Sequence, residues 1–364
     1  MRSGLGTGVT GVGWWQVSAD VLAGSRFVVS PLAETVAALK LLERGSPAHP
    51  GERAWLDAHL RAYRARQSAD PVTAALIRAA LGRTWNADFL TPTPEPGELP
   101  LGEVPFEEEV ARVREAPPEA ARADLLVSLG TDGPLPVALR RDDLPQRTAD
   151  VLAWVWYETV RPSWSRRRRV LEADVVGRTA QLSRGGWAAA LDDMRPGMRW
   201  LGGSRLQINA RDYPPRDLAG ARLMFVPVTP RAGWVSWEEA PGRPREGTAR
   251  SSPGDRPRYA VVYPCSGALA DRGSAPVPEA LGVLLGHARA TVLILLETPK
   301  STTQLVGLTG QALGSVGRHL RVLRDARLVE RRRAGRSVLY YRTPAGDGLV
   351  RAQDARPDRR PSGA

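Results

Sequence analysis

Residues 301–341 read STTQLVGLTGQALGSVGRHLRVLRDARLVERRRAGRSVLYY, and this stretch decides the architecture. It opens on Ser301-Thr302-Thr303-Gln304, a capping box. There the Ser301 hydroxyl accepts from the Gln304 amide and the Gln304 side chain reaches back. Leu305, Val306 and Leu308 supply the buried side of a short helix. Thr309-Gly310-Gln311 is a turn, with Gly310 free to take a positive φ. The spacing predicts a second helix from about Ala312 to Ala326, with Leu313, Val316, Leu320 and Leu323 as one inward stripe. Residues 328–333 and 337–342 read as strands joined at Ala334-Gly335-Arg336. In that hairpin Leu339 and Tyr341 face one side, Val338 and Tyr340 the other.

Helix, turn, helix and basic hairpin in this order is the sequence form of a winged helix-turn-helix, which lays its second helix in the DNA major groove. Residues 278–296 precede it as a supporting helix or pair, with Leu281, Leu284, Leu285, Val292, Leu293 and Leu296 apolar. Gln311, Gly314, Ser315 and Arg318 lie opposite the apolar stripe, near the helix end presented to base edges. Arg318 can take a guanine bidentately, and Gly314 allows close approach without reading anything. Ser301, Thr302, His319, Arg321 and Arg324 are expected at phosphates, with Arg331, Arg332, Arg333 and Arg336 of the hairpin. Such contacts position a protein on DNA without specifying sequence. The expected partner is a double-stranded DNA operator.

Residues 317–329, GRHLRVLRDARLV, resemble the S-[RK]-H-L-[KR]-x-L-x-x-A-G-L-V signature of ArsR-type transcriptional regulators. The hairpin with Gly335-Arg336 and Tyr340-Tyr341 fits the same family, so the resemblance covers about 285–343. Gly317 stands in place of the usual Ser, and Arg327 in place of the usual Gly. The second departure removes the residue that lets such a helix end in a left-handed conformation. Metal-sensing members of the family carry Cys-x-Cys in the first of the two helices, or acidic and His ligands at a dimer helix. Here Leu305-Val306-Gly307 occupies the first place and no His/Asp/Glu cluster substitutes. The resemblance therefore implies a regulator that does not sense metal, and no cofactor. A homodimer is expected, because one recognition helix reads too few base pairs for specificity alone. Residues 17–42 and 174–203 resemble an uncharacterised N-terminal domain fused to ArsR-type winged helices in actinobacterial regulators, which fixes its company and not its chemistry.

The formal charge of +12 points to an anionic partner. Only Lys40 and Lys300 are lysine among 51 basic residues, a skew that a GC-rich coding sequence produces. Distribution therefore says more than the total. Residues 277–364 hold 15 basic against 7 acidic residues, while residues 1–276 hold 36 against 32. The excess sits at the C-terminal end. A single cysteine, Cys265, excludes a disulfide framework and a thiolate metal cluster, and fits a reducing, cytoplasmic setting. No apolar run is long enough to span a membrane.

Residues 1–13 read as a disordered leader and 14–270 as an α+β domain, mostly helical in its first half with strands in its second. Helices are expected near 31–44, 55–67, 70–81, 106–115, 143–161 and 165–182, with breaks at His49-Pro50-Gly51, Pro162 and Gly185-Gly186. Strands are expected at 14–20, 200–201, 205–209, 223–228 and 259–263. Residues 241–257 read as a mobile insertion, 271–278 as a linker, 279–345 as the winged helix-turn-helix and 346–364 as a disordered tail.

Several features admit two readings. Trp154, Trp156, Trp187 and Trp200 either line an apolar effector pocket or fill a core. Arg166–Arg169 is either a solvated helix face or a phosphate-contacting flank. Glu107-Glu108-Glu109 reads as a wet acidic face, and Cys265 as an inert buried thiol or a redox switch lacking a resolving partner. Gly202-Gly203-Ser204 lacks the lysine of a phosphate loop, and His49 and His59 have no Ser or Cys partner, so no enzymatic activity is expected. The expected function is sequence-specific transcriptional regulation, with the N-terminal domain sensing an effector or building the dimer. The alternative is an enzyme or small-molecule-binding protein in which the winged helix is secondary.

Overall fold

The computed structural model describes residues 13–48, 50–131, 133–192, 194–209, 214–238, 256–265, 277–296, 300–309, 311–334 and 337–354. The expected leader, most of the 241–257 insertion and most of the 271–278 linker lie outside these residues.

The chain begins with β1 (Trp14–Gln16), α1 (Ala19–Ala23) and β2 (Arg26–Phe27). α2 (Pro31–Arg44) carries the signals its sequence promised: Ser30 caps it, Pro31 opens it, and Gly45 closes it at φ 67°. α3 (Pro50–Ala69) starts at the proline that was expected to break the chain. Proline suits the first helical position, where its missing N–H would be unpaired in any case. α4 (Pro71–Ala80) is capped by Asp70, and α5 (Phe106–Arg114), α6 (Pro118–Leu129) and α7 (Leu144–Val155) follow. After a π-turn at Trp156–Val160 comes α8 (Trp164–Leu191), which bends at Gly186, φ 66° and ψ −169°.

Six strands follow: β3 (Arg199–Gly202), β4 (Arg205–Gln207), β5 (Arg216–Asp217), β6 (Arg222–Val228), β7 (Trp234–Glu238) and β8 (Arg258–Pro264). They form two sheets that reach back to the start of the chain. One has the order β3-β4-β1-β5 and the other β2-β6-β8-β7. In the second, β2, β6 and β8 run parallel while β7 is an antiparallel edge. The near-continuous apolar runs of β6 and β8 follow from burial on both faces. Met224, Val226, Val228, Ala260 and Val262 join a first core with α2 to α7, while Leu223, Phe225, Tyr259, Val261 and Tyr263 join a second with β1 and α1. β2, β5 and β7 were not expected from the sequence, and the two-residue strands carry no periodicity.

A buried ion pair ties these layers together. Glu34 on α2 is inaccessible to solvent, and its carboxylate accepts from Arg167 Nη1 of α8 at 2.5 Å. It also accepts from the Thr229 amide at 2.7 Å, just past β6, and from the Thr229 hydroxyl. The Arg167 guanidinium lies 5.4 Å from the centre of the Trp55 ring. Arg168 pairs with Glu103 at 2.8 Å. At Arg167 the arginine run is therefore neither a solvated face nor a flank on DNA, while Arg168 is half-exposed and held by Glu103. Glu109 likewise departs from the expected wet face. It is buried and accepts from Ser30 Oγ and from the Leu32 amide, both at 2.7 Å, so it caps α2 from another helix. Burial pushes the Glu109 carboxyl up to about 7, against the pull of those hydrogen bonds.

The C-terminal part has α9 (Glu279–Leu285), α10 (His287–Leu295), β9 (Lys300–Ser301), α11 (Thr302–Thr309), α12 (Leu313–Asp325), β10 (Val329–Ala334), β11 (Ser337–Arg342) and α13 (Pro344–Asp354). Val292, Leu293, Leu305, Val316, Leu320, Leu323 and Val329 form a third core. α13 corrects the expected disordered tail over 346–354, and residues 355–364 lie outside the described residues. α11 packs against α8.

The ion pair sets a stability prediction. Glu34→Ala strands the Arg167 charge in the interior and lowers unfolding free energy by about 3–5 kcal/mol. Replacing both partners, Glu34→Leu with Arg167→Met, recovers most of that loss in urea denaturation. Equal losses in the single and double variants would contradict the pairing.

Candidate nucleic-acid interface

α12 presents two unlike faces. Val316, Leu320 and Leu323 are buried at spacings of four and three, which seats the helix on the third core. Leu313, expected in the same stripe, is instead 61% exposed. It is the first helical residue, and the core ends one turn further on. The opposite face carries Gly314 and Arg318, both exposed, with Ser315 half-buried beside them and Gln311 half-buried just before the helix. Among the described residues, and apart from the helix's own backbone and chain neighbours, no atom lies within 4 Å of where a Cβ would stand on Gly314 or Gly317. That face is open, with Gly314, Ser315 and Arg318 on it and Gln311 before the helix starts.

The helix is held at both ends. Thr309 Oγ1 accepts from the Gln311 amide at 3.3 Å, shaping the turn, and itself donates to the Leu305 carbonyl at 2.7 Å. At the other end Arg327 takes φ 57°, the left-handed conformation usually left to glycine. The Arg327 amide donates to the Arg324 carbonyl and the Leu328 amide to the Leu323 carbonyl, each at 2.9 Å. This is a complete Schellman stop, with Leu323 and Leu328 both at the third core. The missing glycine therefore does not cost the helix its stop. Thr343 Oγ1 donates to the Arg327 carbonyl at 2.7 Å, which fastens the corner to the end of the hairpin.

β10 and β11 pair antiparallel from Val329↔Arg342 to Ala334↔Ser337, and β9 adds a third strand through Leu339↔Ser301. Arg331, Arg332 and Arg333 are exposed on β10. Arg332 pairs with Glu330 at 3.0 Å and lies 5.8 Å from the Tyr341 ring centre. Arg336 lies outside the described residues. Arg321 is exposed, Arg324 half-exposed near Asp325, and Thr302 half-buried. Ser301, expected at a phosphate, is buried by its pairing with β11. The Gln304 half of the expected capping box lies outside the described side chains. Burial, then the charges of Arg289 and Arg318, hold the His319 imidazole below its ordinary pKa.

With this geometry in view, one comparison decides the segment. Residues 291–331 match the family model described as bacterial regulatory protein, arsR family. The matched segment runs from α10 into β10 and is similar to the helix-turn-helix of that family, toward the C-terminal end of the chain. No curated protein and no solved structure matches the chain significantly.

The four tryptophans considered for an effector pocket do not meet. Trp154 and Trp156 pack in the first core, the latter stacked on Phe106 with ring centres 4.8 Å apart, while Trp187 and Trp200 pack on the second. A cleft of about 480 Å³ lies elsewhere, among α3, α4 and α7, with Tyr63, Gln67, Thr73, Ile77, Arg147 and Val151 in its lining. Sequence reading missed it because its lining comes from three separate helices. Cys265 is buried, and burial pushes its thiol well above the ordinary range, as expected of an inert sulfur.

The strained corner gives a second prediction. Arg327→Gly relieves a left-handed arginine and raises stability by about 1 kcal/mol, read as a higher thermal midpoint. An unchanged or lower midpoint would show that the corner carries no strain.

Proposed function

We propose that the protein is a sequence-specific, ArsR-like transcriptional regulator that does not sense metal. Its winged helix-turn-helix reads a double-stranded DNA operator, and the N-terminal part senses an effector, builds the dimer, or does both. The observation that carries this reading is the open polar face of α12 within the segment matching the arsR family model. Gln311, Ser315 and Arg318 read base edges, and Gly314 lets the helix come close. Exposed Leu313 adds an apolar contact suited to a thymine methyl group. Arg321, Arg324 and the hairpin arginines hold phosphates. Leu305 supports the non-metal reading, since it packs in the third core where a metal-sensing member would carry a thiolate. Val283 and Leu284 on α9, 83% and 66% exposed, support a homodimer as apolar surface for a second copy. No described helix is long and apolar enough to cross a membrane.

The cleft among α3, α4 and α7 favours a second reading, a small-molecule-binding protein whose winged helix is secondary. DNA titrations of the full chain separate the two. Arg318→Ala lowers preference for the protein's own upstream region over unrelated DNA by about 1–3 kcal/mol. Replacing Arg331, Arg332 and Arg333 together by Gln weakens all DNA alike, and flattens the salt dependence by roughly one unit of slope per lost phosphate contact. Binding that ignores salt, or that neither variant changes, would leave the second reading standing.

A further inference from the structure

Two cations in the N-terminal part have no counter-ion among the described residues. Lys40 sits in the middle of α2, half-buried, with Nζ 2.6 Å from Asn86 Oδ1 and 5.7 Å from the centre of the Trp234 ring. Arg195 follows the end of α8. Its Nη1 is sealed from solvent and has no hydrogen-bond partner among the described residues. Its Nε lies 3.7 Å from where a Cβ on Gly233 would stand. Lys40 and Arg195 therefore flank the Gly233-Trp234 start of β7, and Trp234 pairs with Val262 near the carboxyl end of β8. No ion pair joins either cation to a carboxylate among the described residues.

Several of the protein's other buried or half-buried charges are paired. Arg167 has Glu34, Arg168 has Glu103, and Glu52 has Arg44 at 2.9 Å. In the cleft among α3, α4 and α7, Arg147 is neutralised by Asp70 and Asp143. Burying a charge without a partner is costly, and two of the same sign side by side cost more. Burial, and then the charge of Arg195, push the Lys40 ammonium down to about 8, and burial pushes Arg195 down to about 10. The groups at this place, Lys40 and Asn86 beside Trp234 and Arg195 beside Gly233, are donors. Lys40 Nζ keeps two N–H groups beyond its bond to Asn86, the guanidinium keeps its fork, and the Asn86 amide keeps its NH₂.

We propose that Lys40, Arg195 and Asn86 form a binding site for a small anion, a ligand carrying a phosphate or carboxylate group, at the start of β7. The anion supplies the charge the two cations lack, and the Trp234 ring walls the site on one side. This deepens the effector-sensing half of the proposed function. It places the sensor in a sheet joined through α8 to the helix-turn-helix, rather than in the cleft.

Thermal unfolding of the full chain tests it, with inorganic phosphate or acetate titrated against chloride at matched ionic strength and no DNA present. The wild type gains a saturable rise in midpoint with phosphate, with acetate, or with both, and the anion that acts assigns the ligand class. Lys40→Met and Arg195→Met each raise the midpoint in chloride, because a buried unpaired charge is gone, and weaken the anion response at least tenfold. Lys40→Arg keeps the charge and the response. Replacing Arg331, Arg332 and Arg333 by Gln also leaves it intact, which separates this site from phosphate contacts in the hairpin. The proposal is overturned if neither anion acts beyond chloride, or if both Met variants respond like the wild type. Either failure leaves the DNA titrations untouched, so the regulator reading stands or falls separately.

Discussion

The Glu34–Arg167 pair is the constraint on which the N-terminal architecture turns. α2 runs through the first core with nearly all its residues buried, so a carboxylate on it is removed from water on every side. Such a group is tolerated only with full hydrogen bonding and a counter-charge. Both arrive from distant segments. Arg167 brings α8 against α2, and Thr229 fixes the chain as it leaves β6. The position of α8 follows from an electrostatic requirement as well as from its apolar contacts through Val170 and Leu171.

That matters beyond the N-terminal part because α8 also carries α11. The first helix of the helix-turn-helix rests on the helix that Glu34 holds, while the open face of α12 stays free. Any ligand acting on DNA binding must do so through its differential affinity for two arrangements of these elements. The bend of α8 at Gly186 and the turn carrying Arg195 lie at the far end of the same helix. A change there has a continuous physical path to α11, and coupling measurements would show whether it is used.

Local signals were legible in the sequence and remote ones were not. The Ser30-Pro31 cap, the Val316/Leu320/Leu323 stripe, the break at Gly186 and the β10-β11 hairpin each depend on neighbouring residues, and the structure has them all. Arg167 and Glu109 read as surface charges because such residues are seldom buried unless paired. The partner that buries Arg167 lies 133 residues away, and Ser30 lies 79 residues from Glu109. β2 and β5 are too short for any pattern to reveal them. Ser301 stands directly before α11, as the sequence reads it, and only its pairing with Leu339 shows that it is also buried in a strand. Leu313 had the spacing of a core residue, but helical spacing cannot say where a core ends.

The proposed function requires the segment that matches the arsR family model to read operator DNA as one half of a symmetric pair. Footprinting of the full chain on the DNA upstream of its own gene tests this most directly. The expected result is two protected half-sites related by a two-fold axis, their centres one helical turn or a multiple apart, about 10–10.5 base pairs per turn. Uniform protection without preferred positions, or no protection at low salt, would contradict it.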